Sequence, residues 1–288
     1  MKNIKYYLEK AQKEQWAIGQ FNFSDFTQMK AIVEAGEKMK SPLILGTSEG
    51  ESKFFGLQEA VALRDVLRKK SGLPIFLNLD HGKSFEYLKE AIDAGYDMVH
   101  LDGSKLSLEE NIKITKEVVK YARKKGVTVE GEVGRIGNDA SRLYSEKFVI
   151  KEEDLTKPED AFRFLKETKA DLLAVSIGNF HGIEISGIDP NLKLDVLKEV
   201  REKIGDKFLV LHGGSGTPEE DITGAIKLGI VKININTELR LAFSGNLRRF
   251  LNSNKEEIAP YKFLVDSKDS VERLVERKIN LFGSADKA

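Results

Sequence analysis

Short apolar runs recur eight times along this chain, and a segment with helical periodicity separates each from the next. The runs are Ala17–Phe23, Leu43–Thr47, Pro74–Asp80, Met98–Gly103, Val127–Gly134, Leu172–Gly178, Leu209–Leu211 and Ile230–Thr237. Most are rich in Val, Ile and Leu, as expected of strands buried on both faces in a parallel sheet covered by helices. Ser24-Asp25 can cap the first intervening helix and Ser41-Pro42 ends it. No Pro-, Gly- or Ser-rich linker divides the chain, so the pattern predicts a single domain over residues 1–288, an α/β fold closed as a (β/α)8 TIM barrel. An additional N-terminal helix is expected over Ile4–Glu14, and C-terminal helices over Glu238–Asn252 and Val271–Asn280. An open doubly wound sheet is the competing arrangement.

Composition narrows the chemistry. Lys plus Arg and Asp plus Glu both number 46, so no net field draws the chain to nucleic acid or to an anionic membrane, and an anionic ligand must be held by local groups. The absence of cysteine removes disulfides, thiolate catalysis and cysteine-type zinc sites, which leaves histidine and carboxylate for a transition metal. No apolar run approaches the roughly 20 residues needed to span a bilayer. Residues 1–10 mix charged with apolar residues unlike a signal peptide, so a cytoplasmic location is expected.

Polar residues gather where strands end. The run Leu209–Leu211 stops at His212 and a glycine-rich turn, Gly213-Gly214-Ser215-Gly216, before a helix opens at Thr217-Pro218-Glu219-Glu220. An imidazole at a strand end can hold a divalent ion, and a glycine loop can bring backbone N–H groups close to an anion. His81 and His181 stand in matching places, each followed by glycine, so barrel closure can bring three imidazoles to one metal. His100 lies inside a strand between apolar neighbours and reads as a hydrogen-bonded interior residue. Asp80 can exchange a proton with a bound substrate, or can cap a helix or orient a ligand. Asp102 and Glu132 can orient imidazoles, hold a second cation or pair at the barrel mouth. Asn234, Asn236 and Thr237 end the eighth strand, and barrels often hold phosphate at the loops after strands seven and eight.

These residues resemble the class II, metal-dependent fructose-bisphosphate and tagatose-bisphosphate aldolases, and the likeness covers nearly the whole chain. It runs through Ser48-Glu49-Gly50, Leu79-Asp80-His81-Gly82, Asp102-Gly103-Ser104, Glu109-Glu110-Asn111, Glu130-Gly131-Glu132-Val133-Gly134, His181-Gly182, Leu211-His212-Gly213-Gly214-Ser215-Gly216, Lys232-Ile233-Asn234 and Leu281-Phe282-Gly283-Ser284. The resemblance implies His81, His181 and His212 as zinc ligands and Asp80 as the catalytic acid/base. It implies that Gly182, Gly213, Gly214, Ser215, Asn234, Ile235, Asn236 and Thr237 hold dihydroxyacetone phosphate, and that Asp102 and Glu132 belong to an additional divalent metal site. A monovalent cation at the phosphate and a homo-oligomer, dimer or tetramer, are also implied. The implied reaction is reversible cleavage of a ketose 1,6-bisphosphate, foremost fructose 1,6-bisphosphate, to dihydroxyacetone phosphate and glyceraldehyde 3-phosphate through a zinc-stabilised enediolate. Such a reaction belongs to glycolysis and carbohydrate metabolism.

Two stretches depart from that pattern. After Gly137 this chain has Asn138-Asp139-Ala140-Ser141 where the family has a further glycine and an acidic pair, and Tyr144, Glu146 and Glu152 are all candidates for moving the C–H proton. After Gly182 it has Ile183-Glu184-Ile185-Ser186-Gly187 where the family has an aromatic residue and a lysine, which leaves the aldehyde partner open. Lys232 shares the face of Asn234 and reads as a structural or phosphate-side cation rather than a Schiff-base lysine. The alternatives are an aldolase for tagatose 1,6-bisphosphate or another ketose phosphate, a metal-dependent sugar-phosphate epimerase, and a non-catalytic phosphate-binding barrel.

Overall fold

A computed structural model describes residues 2–136, 143–144, 150–184 and 191–288. Among these residues ten strands are formed: β1 Ile18–Asn22, β2 Leu43–Ser48, β3 Ile75–Gly82, β4 Met98–Leu101, β5 Thr128–Val133, β6 Leu143–Tyr144, β7 Leu172–Val175, β8 Ile183–Glu184, β9 Phe208–Leu211 and β10 Ile230–Ile235. Eight of them close a barrel in the order β1-β10-β9-β7-β5-β4-β3-β2, every pair parallel, so the closed barrel is formed and the open sheet is not. The remaining pair, β6 and β8, makes a short parallel ladder above the barrel that hydrophobic patterning did not signal.

The helices are α1 Ile4–Glu14, α2 Phe26–Met39, α3 Glu49–Phe55, α4 Leu57–Ser71, α5 Phe85–Ala94, α6 Leu108–Arg123, α7 Pro158–Thr168, α8 Leu194–Ile204, α9 Glu219–Lys227, α10 Thr237–Ser253, α11 Pro260–Phe263 and α12 Val265–Phe282. Their starts follow local chemistry. Asp25 accepts the Gln28 N–H at 2.8 Å to open α2, and Ser107 with Glu110 forms a capping box for α6. Ser48-Glu49-Gly50 opens α3, because Ser48 and Glu51 make a second capping box. Thr217 does not cap α9. Its hydroxyl donates to the Gly213 carbonyl at 2.9 Å and ties the glycine turn to the helix that follows.

The barrel interior changes character along its axis. At the α1 end Ile18, Ile44, Phe76, Met98, Leu172, Val210 and Val231 form an apolar plug with Tyr7, Leu8 and Trp16. Two residues further along several strands the interior turns polar, with Gln20, Asn78, His100, Glu130 and Lys232 all buried. Asn22, Asp80, Glu132, His212 and Asn234 follow toward the strands' C-terminal ends, so ligand chemistry has one open end. Outward-facing residues such as Leu45, Leu77, Val99, Leu173, Leu209 and Ile233 pack against the helices in the second, larger cluster. Among the described residues no helix is long and apolar enough to cross a membrane.

Because Phe76 anchors the plug and is only 2% exposed, Phe76→Ala is expected to destabilise the chain by about 3–5 kcal/mol. Urea unfolding followed by circular dichroism measures this, and a loss well under that range would mean that the plug does not seal the barrel.

Candidate active site

His212 lies immediately after β9, fully buried, and its orientation is fixed from behind. Its Nε2 is 2.6 Å from Glu130 Oε1 on β5, and the other oxygen of that carboxylate is 2.8 Å from Lys232 Nζ on β10. Lys232 also donates to Asn234 Oδ1 at 2.8 Å, and Asn179 donates to the His212 carbonyl at 2.9 Å. A carboxylate accepts only, so the His212 proton sits on Nε2 and the lone pair is left on Nδ1.

His81 mirrors this from the other side. Its Nδ1 faces Asp102 Oδ2 at 3.4 Å, which leaves the Nε2 lone pair pointing inward, and that atom is 2.9 Å from His212 Nδ1. Two lone pairs meeting at this separation repel unless a cation or a proton lies between them. Burial disfavours an imidazolium at His81, but Asp80, Asp102 and Glu132 outweigh it and raise its pKa to about 9. The same burial, with the positive field of His81, lowers His212 well below the ordinary histidine value and His181 to about 3. The site therefore favours one positive charge among these rings.

Asp80 stands beside them with both oxygens held. Asn234 Nδ2 donates to Oδ1 at 3.0 Å and Asn22 Nδ2 to Oδ2 at 2.9 Å, while Oδ1 is 3.9 Å from His81 Nε2 and 4.0 Å from His212 Nδ1. Burial opposes its charge, yet His81, His212, Lys232 and His100 together hold its pKa below the usual carboxylate range. Asn22 also donates to Glu51, which pairs with Arg240 at the start of α10.

Donor atoms of Asp80, His81, His100 and His212 all lie within 4.8 Å of one another, as do those of His81, Asp102 and Glu132. The His181 ring approaches His81 at 4.5 Å and His212 at 5.9 Å between centroids, although its nitrogens join neither compact group. Its Nε2 is buried without a hydrogen-bond partner. Inward lone pairs, an unsatisfied imidazole nitrogen and a nearby buried carboxylate fit a divalent cation with nitrogen and oxygen ligands.

A cavity of about 520 Å³ opens above this cluster, lined by Asp80, His81, Asp102, His181, Gly182, His212, Gly213, Ser215, Asn234, Asn236 and Thr237 among others. Gly213 has φ +65°, and a Cβ there would lie 2.2 Å from the Phe180 carbonyl oxygen, so only glycine fits. Ser215 Oγ accepts N–H groups from Asn236 and Glu238 at 3.3 Å, which joins the β9 and β10 loops into one rim. The Ile235 side chain does not belong to that rim. Strand alternation turns it into the apolar layer between barrel and helices. Gly214 lies behind the rim, its N–H given to the Asn234 carbonyl at 3.1 Å.

Of the proton-moving candidates, Tyr144 lies on β6 opposite Glu184 of β8, and Glu152 is exposed beside the cavity-lining Lys151 and Asp154. Glu146 lies outside the described residues, as do Gly137, Asn138-Asp139-Ala140-Ser141 and Ile185-Ser186-Gly187. Sequence reasoning gave no role to Asn22 or Glu130. The signal for Glu130 was present, since it lies two residues from Glu132 on the same strand face.

The fold and cluster together define a barrel with a candidate metal centre at its strand C-terminal ends. The chain belongs to the class II fructose-bisphosphate aldolase family, whose model matches residues 2–287, and is thus an aldehyde-lyase of a metal-dependent family. It is 39% identical over 289 residues to the 6-phospho-5-dehydro-2-deoxy-D-gluconate aldolase of Bacillus subtilis (strain 168), covering 99% of this chain and 97% of the relative. It is 36% identical to the fructose-bisphosphate aldolase of Geobacillus stearothermophilus, covering 99% and 98%. The solved YdjI aldolase of Escherichia coli K12 superposes with a TM-score of 0.84 at 30% identity, covering 100% and 99%.

Glu130→Gln keeps the shape but removes the charge that faces buried Lys232. The expected cost is about 3–5 kcal/mol of stability and about 10–100-fold in divalent-metal affinity. Unfolding and metal titration read the two effects, and wild-type values for both would remove Glu130 from its supporting role.

Proposed function

We propose that this chain cleaves fructose 1,6-bisphosphate reversibly to dihydroxyacetone phosphate and glyceraldehyde 3-phosphate, with Zn2+ as the cation held by His81, His181 and His212. The observation that carries the reading is the fixed Asp80 carboxylate about 4 Å from two inward imidazole nitrogens, at the base of a cavity lined by Gly182, Gly213, Ser215 and Asn236. When bound, the cation supplies Lewis-acid polarisation of the ketone and hydroxyl oxygens. Asp80 is held ionised, the form that accepts the C4 hydroxyl proton as the C3–C4 bond breaks, and it returns that proton to the new hydroxyl in condensation. The amides of Asn22 and Asn234 hold it in place through the reaction. Gly182, Gly213, Ser215, Asn234, Asn236 and Thr237 surround the phosphate of the triose, where a monovalent cation would balance its charge. Asp102 and Glu132 orient His81 and offer a second divalent position. Residues 1–288 act as one domain, in a cytoplasmic homo-oligomer, dimer or tetramer, serving glycolysis.

A second substrate has support. The Bacillus subtilis relative is named for a phosphorylated deoxy-gluconate, and Lys83, Lys105, Arg135 and Lys151 also line the cavity. These basic groups share the lining with Glu49 and Asp154 and can meet an anionic far end, phosphate or carboxylate, so tagatose 1,6-bisphosphate and a phosphorylated keto-deoxy-gluconate stand beside the fructose ester.

Coupled triose-phosphate release from each of these sugars tests the reading. Fructose 1,6-bisphosphate is expected to be cleaved, with activity abolished by a chelator and restored by zinc, and failure with zinc bound would shift the assignment to another sugar. Asp80→Ala is expected to keep the metal and to lower kcat by about 10²–10⁴-fold. Unchanged turnover would take Asp80 out of the mechanism.

A further inference from the structure

The ladder between β3 and β4 is irregular at one point. Leu79 pairs with Val99 and Gly82 with Leu101, so β3 spends one residue more than β4 over the same span. The extra residue falls at Asp80-His81, and His81 has φ +53°, a left-handed conformation that non-glycine residues rarely adopt. In a regular strand adjacent side chains point to opposite faces. Here both Asp80 and His81 face the barrel interior, with Oδ1 and Nε2 only 3.9 Å apart. The irregularity is what places acid/base and imidazole side by side.

A bulge frees a backbone N–H from the ladder, and a buried donor needs a partner. The His81 N–H goes to His100 Nδ1 at 3.2 Å. His100 is fully buried, on the neighbouring strand at the step where the register shifts. Accepting that bond places the His100 proton on Nε2, which lies 3.4 Å from Glu132 Oε2 on β5, close enough for charge attraction though neither atom has a hydrogen-bond partner. His100 thus spans three strands, and its engaged Nδ1 has no lone pair left for a metal. We propose that His100 is a positioning residue whose imidazole clamps the β3 bulge and so keeps His81 turned into the metal site. The inference rests on the reading of His81 as a metal ligand. It also explains why a histidine occupies an otherwise apolar stretch of β4, Met98-Val99-His100-Leu101.

Two variants separate the clamp from simple filling of space. His100→Leu keeps bulk and removes the acceptor, whereas His100→Asn keeps an acceptor oxygen near the Nδ1 position. Circular dichroism establishes that both are folded. The first readout is hydrogen exchange at the His81 amide in protein stripped of metal, where the leucine variant is expected to exchange about tenfold faster or more and the asparagine variant to stay near wild type. The second is titration with Co2+, where the leucine variant is expected to lose about 10–100-fold in affinity with an altered ligand-field spectrum, and the asparagine variant to retain both. Wild-type exchange and spectrum in the leucine variant would overturn the proposal, and so would an asparagine variant as impaired as the leucine one. If the wild-type chain took up no Co2+, the metal reading would fail, while the exchange comparison would still decide the clamp.

Discussion

Lys232 places an ammonium group deep inside the barrel, and the order of the site depends on how that group is neutralised. Glu130 sits against it, and the second oxygen of the same carboxylate accepts a hydrogen bond from His212 Nε2. A buried carboxylate without a cation, or a buried cation without a carboxylate, would each be costly. Paired, they form a rigid strut across β10, β5 and β9 that decides which nitrogen of His212 faces the cavity. On the other side Asp102 faces His81 Nδ1. Carboxylates outside and lone pairs inside make a place whose ligand chemistry fits a divalent cation.

The strand geometry has a matching division. Apolar side chains plug the end near α1, and polar ones accumulate toward the opposite rim, so the barrel is a closed core below and a reaction chamber above. The β3 bulge adds the one feature that regular alternation cannot, two consecutive functional side chains on one face. Its left-handed residue costs about 1–2 kcal/mol, and the surrounding contacts hold it. The glycine rim then works by absence of side chains, as the closeness of Gly213 to the Phe180 carbonyl shows.

Much of this was legible in the residues. Apolar periodicity located all eight barrel strands, since strands buried on both faces must be continuously hydrophobic. Histidines followed by glycine marked the rim, and the assignment to the family follows from ordered motifs along the chain. What the pattern did not carry is side-chain pairing across strands. The partners of Glu130 and Asn22 became visible only when register set these residues against His212 and Asp80. Strand alternation, applied to Asn234-Ile235-Asn236, would have turned the Ile235 side chain away from the rim. His100 was legible as buried and hydrogen-bonded, but not its partner, because a bulge is a matter of register and leaves no periodic trace.

The central claim is that His81, His181 and His212 present their free nitrogens to one divalent cation beside Asp80. Anomalous diffraction at the zinc edge from zinc-loaded crystals tests it most directly. The account predicts one strong peak between His81 Nε2 and His212 Nδ1, about 2.0–2.1 Å from each nitrogen, with His181 as the third imidazole. Zinc found only at surface carboxylates, with those nitrogens unoccupied, would contradict it.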